Sequence, residues 1–445
     1  MNSTTFIPTR QCSFTQDHLT FSKPNDSFSN LSSQNSVKIN AKSPSIHTTS
    51  KSRLADIWRE IHGLNNWENL VEPLDPLLRQ EIIRYGEFVT ACYKAFDLEP
   101  NSKRYLNCKY GKKSMFKEVG MADSGYKVTK YIYATAPDVS INLMQTGLGC
   151  CGRWVGYVAV AEDKETKRLG RRDIVITFRG TVTSPEWIAN LMSSLTPARL
   201  DPNDPRPDVK VEAGFLSLYT SNENSTKFGL ESCREQLLSE VSRLLKMYKS
   251  DEISITLAGH SMGSSLALLL AYDIAELGLN KDFYKGSCRE IPIAVFSFGG
   301  PRVGNLGFKE RCQELGVKVL RIVNVNDPIT RLPGVFFNEN FRVFQGRYDQ
   351  FDKLRACSCY AHVGVELLID FFKMHNPSCV HDLESYIGLL KSCPKSLKKV
   401  KRGEGIGRLM ERAKGFVLGG AQSFDALQWR NAALNMVYLV QSQWI

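Results

Sequence analysis

Nothing in this chain approaches the roughly 18 apolar residues in a row that a bilayer-crossing helix needs. Stretches such as "SLALLLAY" and "IPIAVF" are short and lie beside turn signals, so the protein is expected to be soluble or peripheral. Cysteine is too thin for a disulfide scaffold, with 12 in 445 residues, scattered except for "GCCG" at Cys150 and Cys151 and "CSC" at Cys357 and Cys359. Neither pair has the spacing of a zinc site, so reduced thiols and no metal are expected. No repeat of 20 to 50 residues is evident. No RNA-binding strand motif or zinc-finger spacing supports nucleic-acid binding. "FGGPRVG" lacks the G-K-[ST] ending of a phosphate loop, so no nucleotide cofactor is implied. Histidine is also scarce, at 7 residues, which narrows any search for a catalytic base.

Acidic residues are nearly missing from the first fifty positions, which hold only Asp17 and Asp26 against eighteen Ser or Thr and four Lys or Arg. With no apolar core of secretory length, this composition is that of an organellar transit peptide, most like a plastid one, with a disordered tail as the plain alternative. Residues 1–52 are therefore set apart from a folded domain over 53–390, followed by a basic extension over 391–445. Much of the formal net charge of +11 lies in "KSCPKSLKKVKRGEGIGRLMERAK". That run reads as a solvated tail or as a contact for an anionic membrane surface.

A hydrophobic content of 42% allows a sizeable core. Leu54, Ile57, Trp58, Ile61 and Leu64 recur at helical spacing, as do Ile82, Ile83, Tyr85, Phe88, Val89, Cys92 and Phe96. Strands follow near residues 130 and 157, then in "RDIVITFRG" ending at Gly180, "EISITLAGH" at His260, "IPIAVFSFGG" at Gly300 and "VKVLRIVNVND" at Asp327. The later ones are almost continuously apolar and separated by helical segments. That is the pattern of an α/β domain whose largely parallel central sheet is covered on both faces by crossover helices.

"LAGHSMGSSLALLLAYD" carries the sharpest chemical signal. A serine in G-x-S-x-G between a strand and a helix is forced into a tight turn that lifts its hydroxyl off the sheet. Gly259 and Gly263 supply the room, and the amides opening the helix near Ser264 favour negative charge at the same point. Ser261 is thus a nucleophile candidate, against a packing turn that merely needed small residues.

A serine hydroxyl needs a base. His18 and His47 lie in the targeting segment, His62 in an early helix and His260 within the elbow. His362, His375 and His381 remain, all after the last core strand. The acid that orients the base belongs at the carboxyl end of a late strand. Asp327 in "NVNDPITRLPG" has that place, although an Asp before Pro is also a common turn former.

These segments together resemble the class 3 lipases, and within them the plant DAD1-like group of plastid phospholipases A1 and galactolipases. The resemblance covers "IIRYGEFVTACYKAFD", "IVITFRGTVTSPEWIANL", "VEAGFLSLYT", "ISITLAGHSMGSSLALLLAYDIAE", "AVFSFGGPRVGN", "VLRIVNVNDPITRLPG", "YAHVGVEL" and "VHDLESYI" in order. It implies an α/β-hydrolase fold of the class 3 lipase type, with Ser261 as nucleophile, Asp327 as triad acid and His381 as base. His362 matches a structural element near the site. The implied oxyanion donors are the backbone amides of Thr181, after "RG", and of Met262, where Leu is commoner in the family. The segment with Trp187, Ile188, Leu191 and Met192 corresponds to a lid, or else to a plain packing helix. Val335, Phe336 and Phe337 offer apolar bulk that could meet a lipid surface or simply pack.

The resemblance implies a serine acylhydrolase releasing the sn-1 fatty acid from plastid glycerolipids, phosphatidylcholine or galactolipids foremost and triacylglycerol as well, and so feeding oxylipin and jasmonate synthesis. No cofactor, nucleic acid or obligate protein partner is implied. The expected location is the chloroplast, in the stroma or peripheral on thylakoid or plastoglobule. Two other readings stay open: a non-catalytic lipase-like signalling scaffold, which a serine-reactive fluorophosphonate would fail to label, and a soluble small-ester carboxylesterase, which would show no rate jump at a lipid interface.

Overall fold

Strands and helices alternate along the chain, and their apolar faces settle the layers. The computed structural model describes residues 54–135, 152–182, 194–222, 231–284, 287–333, 359–369 and 380–392. The targeting segment 1–52, nearly all of the basic extension, Trp187, Ile188, Leu191 and Met192 of the lid segment, Val335 to Phe337 and His375 lie outside the described residues.

Seven strands form the central sheet: β1 (Tyr126–Ala134), β2 (Arg153–Ala161), β3 (Arg172–Phe178), β4 (Ile253–His260), β5 (Ile293–Phe298), β6 (Lys318–Asn324) and β7 (Val365–Ile369). Their spatial order is their chain order. β1, β2 and β3 pair antiparallel, while β3 through β7 run parallel. Five parallel strands put their carboxyl ends on one edge, which is where a sheet of this kind builds its site.

Six helices matter for that site: α1 (Leu54–Ile61), α2 (Pro76–Ala95), α3 (Cys233–Met247), α4 (Met262–Glu276), α5 (Leu306–Glu314) and α6 (Leu383–Ser392). Every residue of β3, β4 and β5 is buried, and alternate side chains enter two different cores. On one face Ile176, Leu257 and Val295 pack with Leu237 of α3 and Leu266 and Leu270 of α4. On the other, Val175, Ala258 and Phe296 pack with Ile82 and Val89 of α2 and Ile387 of α6. This double covering is why the strands read as unbroken apolar runs.

Helix ends follow local chemistry. Asp75 accepts from the amides of Leu77 and Leu78 ahead of Pro76, and Ser232 with Glu235 forms a capping box on α3. α1 ends at Ile61, and Leu64, placed above on the same apolar stripe, is 54% exposed. His62 lies just past that helix, not in it. A small antiparallel sheet of Leu195–Pro197, Lys210–Glu212, Gly304–Asn305 and Tyr360–Ala361 also went unforeseen, because strands of two or three residues carry no readable period.

At the amino-terminal edge of the parallel strands sits a buried polar cluster. The Asp173 carboxylate, fully buried, accepts from Tyr85 (3.0 Å), Tyr126 (2.7 Å), Ser254 (2.9 Å) and Thr256 (2.6 Å). Arg84 lies 3.7 Å away, and Arg171 donates to Ser254 and Tyr85. Burial alone would raise the Asp173 pKa, but Arg171 and Arg84 outweigh it and hold the carboxyl well below the usual carboxylate range. His62, 2.7 Å from Thr256 Oγ1, stays neutral there, its pKa lowered to about 3 by burial and by Arg171.

Removing Asp173 takes the acceptor from four buried hydroxyls and the offsetting negative charge from beside Arg84 and Arg171, so Asp173→Ala should cost about 3–5 kcal/mol in denaturant unfolding. Because its folded pKa is depressed, the stability Asp173 contributes is complete above about pH 4 and disappears as pH falls toward the folded value. The variant's deficit, followed by unfolding at several pH values, should therefore be largest at neutral pH and shrink only below pH 4.

Candidate active site

β4 delivers Ser261 to the carboxyl edge and α4 leaves from it. Between them Ser261 takes φ +56° and ψ −127°, far from what an L-residue prefers, and caps the fifteen-residue helix α4. The helix opens at Met262, two residues earlier than its apolar pattern suggested, so the elbow has no slack. Both glycines are obligatory for steric reasons. A Cβ on Gly259 would lie 2.2 Å from the Gly263 carbonyl oxygen, and one on Gly263 would lie 2.5 Å from the carbonyl oxygens of Phe178 and Arg179. The Ser261 amide donates to the Phe298 carbonyl of β5 (3.0 Å), and Ser264 Oγ to the Gly259 carbonyl (2.7 Å). The turn is thereby tied to the neighbouring strand and to itself.

Asp327, expected as the triad acid, follows the next strand but one. β6 ends at Asn324, earlier than the Asp327 boundary read from sequence, and Asp327 opens a tight turn into the short helix Ile329–Arg331. Its side chain is fully buried. Oδ1 accepts from the Ile329 amide (2.9 Å), so the residue is indeed a turn former. Oδ2 serves a second purpose, accepting from His381 Nδ1 (2.6 Å) and from the Tyr386 hydroxyl (2.6 Å). With Nδ1 as the protonated nitrogen, Nε2 is the acceptor nitrogen of the His381 ring, the tautomer that the expected base requires.

His260, adjacent to Ser261, brings the halves together. Its ring lies 4.7 Å from that of His381, and its Nε2 donates to the His381 carbonyl (2.9 Å). Burial and the neighbouring His381 hold the His260 pKa well below its ordinary value, so it is neutral. His362 sits elsewhere: its Nε2 donates to the Thr330 carbonyl (2.9 Å), bracing the turn after Asp327, and burial with Arg321 and Arg302 keeps it neutral too.

Thr181 leaves the carboxyl end of β3 after Gly180. Its hydroxyl reaches Met262 Sδ at 3.6 Å, so the two residues named as oxyanion donors touch through their side chains. The methionine therefore has a contact of its own, where the sequence alone gave its side chain no part. Arg179 Nη1 donates to the Gly180 carbonyl (2.9 Å) and its Nε to the Trp154 carbonyl (2.9 Å). Buried there over Phe96, this guanidinium has its pKa lowered to about 10.

Sequence reasoning passed over Tyr386 and Gly299. Gly299 has φ +56°, and a Cβ on it would approach Asp327 Oδ2 and Tyr386 Oη to 3.0 Å each and His381 Cε1 to 3.4 Å. Both residues stand in segments quoted above, "FSFGG" and "HDLESYI", but only the fold shows them converging on Asp327. Among the described residues no group of three or more His, Cys, Asp or Glu side chains could hold a metal. No described helix is long and apolar enough to cross a membrane.

Comparison with known proteins gives a consistent picture. A family model described as Lipase (class 3) matches residues 175–337. Over 390 residues the chain is 61% identical to Galactolipase DONGLE, chloroplastic, of Arabidopsis thaliana, an overlap of 87% of this chain and 81% of the other. It is 67% identical over 340 residues to Phospholipase A1-Ialpha2, chloroplastic, of the same plant, covering 76% and 69% of the two chains. With Phospholipase A(1) DAD1, chloroplastic, also from that plant, it shares 38% identity over 371 residues, 77% and 79% of the two.

Two substitutions probe this geometry. Ser261→Gly relieves a backbone strain of about 1–3 kcal/mol and loses part of that gain to a looser unfolded chain, so unfolding free energy should rise by about 1 kcal/mol. Tyr386→Phe removes one of the hydrogen bonds to the Asp327 carboxylate. Labelling of Ser261 by a fluorophosphonate should then slow by about 10-fold, the value of one hydrogen bond to a charged group.

Proposed function

The chain belongs to the class 3 lipase family and is an acylhydrolase of α/β-hydrolase fold. From that premise we propose that it cleaves an acyl ester of plastid glycerolipids, foremost the sn-1 chain of phosphatidylcholine or a galactolipid and also triacylglycerol, through Ser261, His381 and Asp327. Galactolipase and phospholipase A1 are the activities named for its relatives. One observation supports the assignment of residues: the 2.6 Å contact of His381 Nδ1 with the buried Asp327, on a loop whose His381 carbonyl meets His260, the chain neighbour of the strained Ser261.

Ser261 Oγ attacks the ester carbonyl carbon as His381 Nε2 takes its proton. Asp327 holds the imidazole in the Nδ1–H tautomer and balances the imidazolium that forms. The carbonyl oxygen becomes an oxyanion at the start of α4, where the Met262 amide, the Thr181 amide and the helix dipole offset its charge. The ester bond then breaks, His381 returns the proton to the departing glycerol oxygen, and water repeats the sequence to free the fatty acid. These steps call on no metal or organic cofactor.

The protein acts in the plastid, as its chloroplastic relatives are named. Residues 1–52 serve as the transit peptide, 53–390 as the catalytic domain, and the basic 391–445 extension as a contact for anionic lipid at a thylakoid or plastoglobule surface reached from the stroma. Trp187, Ile188 and Leu191 are proposed as a lid over the acyl chain. No protein partner is needed for the reaction.

The test is to incubate the purified chain with mixed plastid lipids and identify which lipid loses which acyl chain. Free fatty acid and the matching lysolipid should appear together. Ser261→Ala should lower the rate by at least about 1,000-fold with unchanged thermal melting. Full activity in that variant would overturn the assignment.

A further inference from the structure

α2 approaches the site from the opposite side of the sheet and ends two residues after Tyr93. The Tyr93 hydroxyl accepts from the Gly180 amide (2.7 Å) and stands 2.7 Å from His260 Nδ1. His260 Nε2 faces the His381 carbonyl, an acceptor only, so that nitrogen carries the proton and Nδ1 must accept. Tyr93 therefore donates to His260, and one directed chain runs from the Gly180 amide through Tyr93 and His260 to the His381 carbonyl. Neutral His260 is the form this chain requires, as its burial provides.

The next peptide, Gly180–Thr181, is held as well, because Arg179 donates to the Gly180 carbonyl. Gly180 has no room for a side chain. A Cβ there would meet Tyr93 Oη at 2.6 Å, the His260 carbonyl oxygen at 2.8 Å and Ser261 Cβ at 3.0 Å. The backbone that leads directly into Thr181 is thus pressed against the elbow and fastened at both peptides that flank the Gly180 Cα.

We propose that Tyr93 and His260 form a strap that fixes the Gly180–Thr181 backbone against Ser261 and the His381 loop, making Tyr93 a positioning residue for oxyanion stabilisation. The proposal rests on the serine-hydrolase reading above. Tyr93 bonds to Gly180 and His260 rather than to the reacting groups. Tyr93 acts by keeping the Thr181 amide aimed before charge develops, which is the condition for such a donor to lower the barrier. Removing an oxyanion donor outright typically costs about 100- to 1,000-fold, and misplacing a group by about 1 Å costs around 100-fold. Loosening the strap while leaving the donor present should therefore cost about 10- to 100-fold.

The experiment compares wild type, Tyr93→Phe, His260→Leu and His260→Gln on a soluble p-nitrophenyl ester, with inhibition by an alkyl boronic acid, which binds serine as a tetrahedral anion. Tyr93→Phe should lower kcat by about 10- to 100-fold with KM within about twofold, and weaken boronate binding by the same factor. Thermal melting should change little. His260→Gln keeps one acceptor and one donor, so it should recover part of the activity lost in His260→Leu. Unchanged boronate affinity in Tyr93→Phe, or a loss confined to KM or to melting temperature, overturns the strap. Ser261→Ala, run alongside, separates the two ideas: if it stays active the serine mechanism fails, and if it is dead while Tyr93→Phe matches wild type only the strap fails.

Discussion

Ser261 holds a backbone conformation that costs about 1–3 kcal/mol for a residue with a Cβ, and much of the surrounding structure exists to keep it there. β4 cannot relax, since it is buried between β3 and β5 and every one of its residues is covered. α4 cannot withdraw, since its side chains fill one of the two cores from Leu266 to Ala275. The strain is concentrated at the one residue where strand must become helix, and Gly259 and Gly263 let the two backbones come within contact of each other. The same close approach lets α4 start at the residue directly after Ser261.

The two edges of the sheet use buried polar groups in contrasting ways. At the amino edge Asp173 accepts from four hydroxyls, and nearby guanidiniums offset its charge, a network whose consequence is stability. At the carboxyl edge Asp327 gives one oxygen to its own turn and the other to His381 and Tyr386. Its charge is spent on aligning an imidazole, and the positive-φ Gly299 leaves the space in which that alignment happens. Both carboxylates are fully buried, and an imidazole donates directly to the second.

Much of the fold was legible because its signals are local. Doubly covered strands show as unbroken Val and Ile runs, the elbow as two glycines around a serine, and the acid as an Asp where a strand meets Pro328. Chain order alone left three histidines open, and resemblance rather than periodicity singled out His381. Leu64 misled because an apolar residue at helical spacing says nothing about where the helix stops. The very short strands of the second sheet left no pattern at all.

The sequence by itself determined the strained turn, since only Gly at 259 and 263 permits it, together with the order in which Ser261, Asp327 and His381 follow one another along the chain. Tertiary structure alone decided that Tyr93 would meet a glycine 87 residues later in the chain, that His260 would stack on His381, and that Tyr386 would share an oxygen with it. These contacts arise where α2 and α6 pack over one face of the sheet. A tyrosine on a buried helix looks like any core aromatic until the partner for its hydroxyl is in place, because hydrogen-bond direction depends on distances that no local spacing encodes.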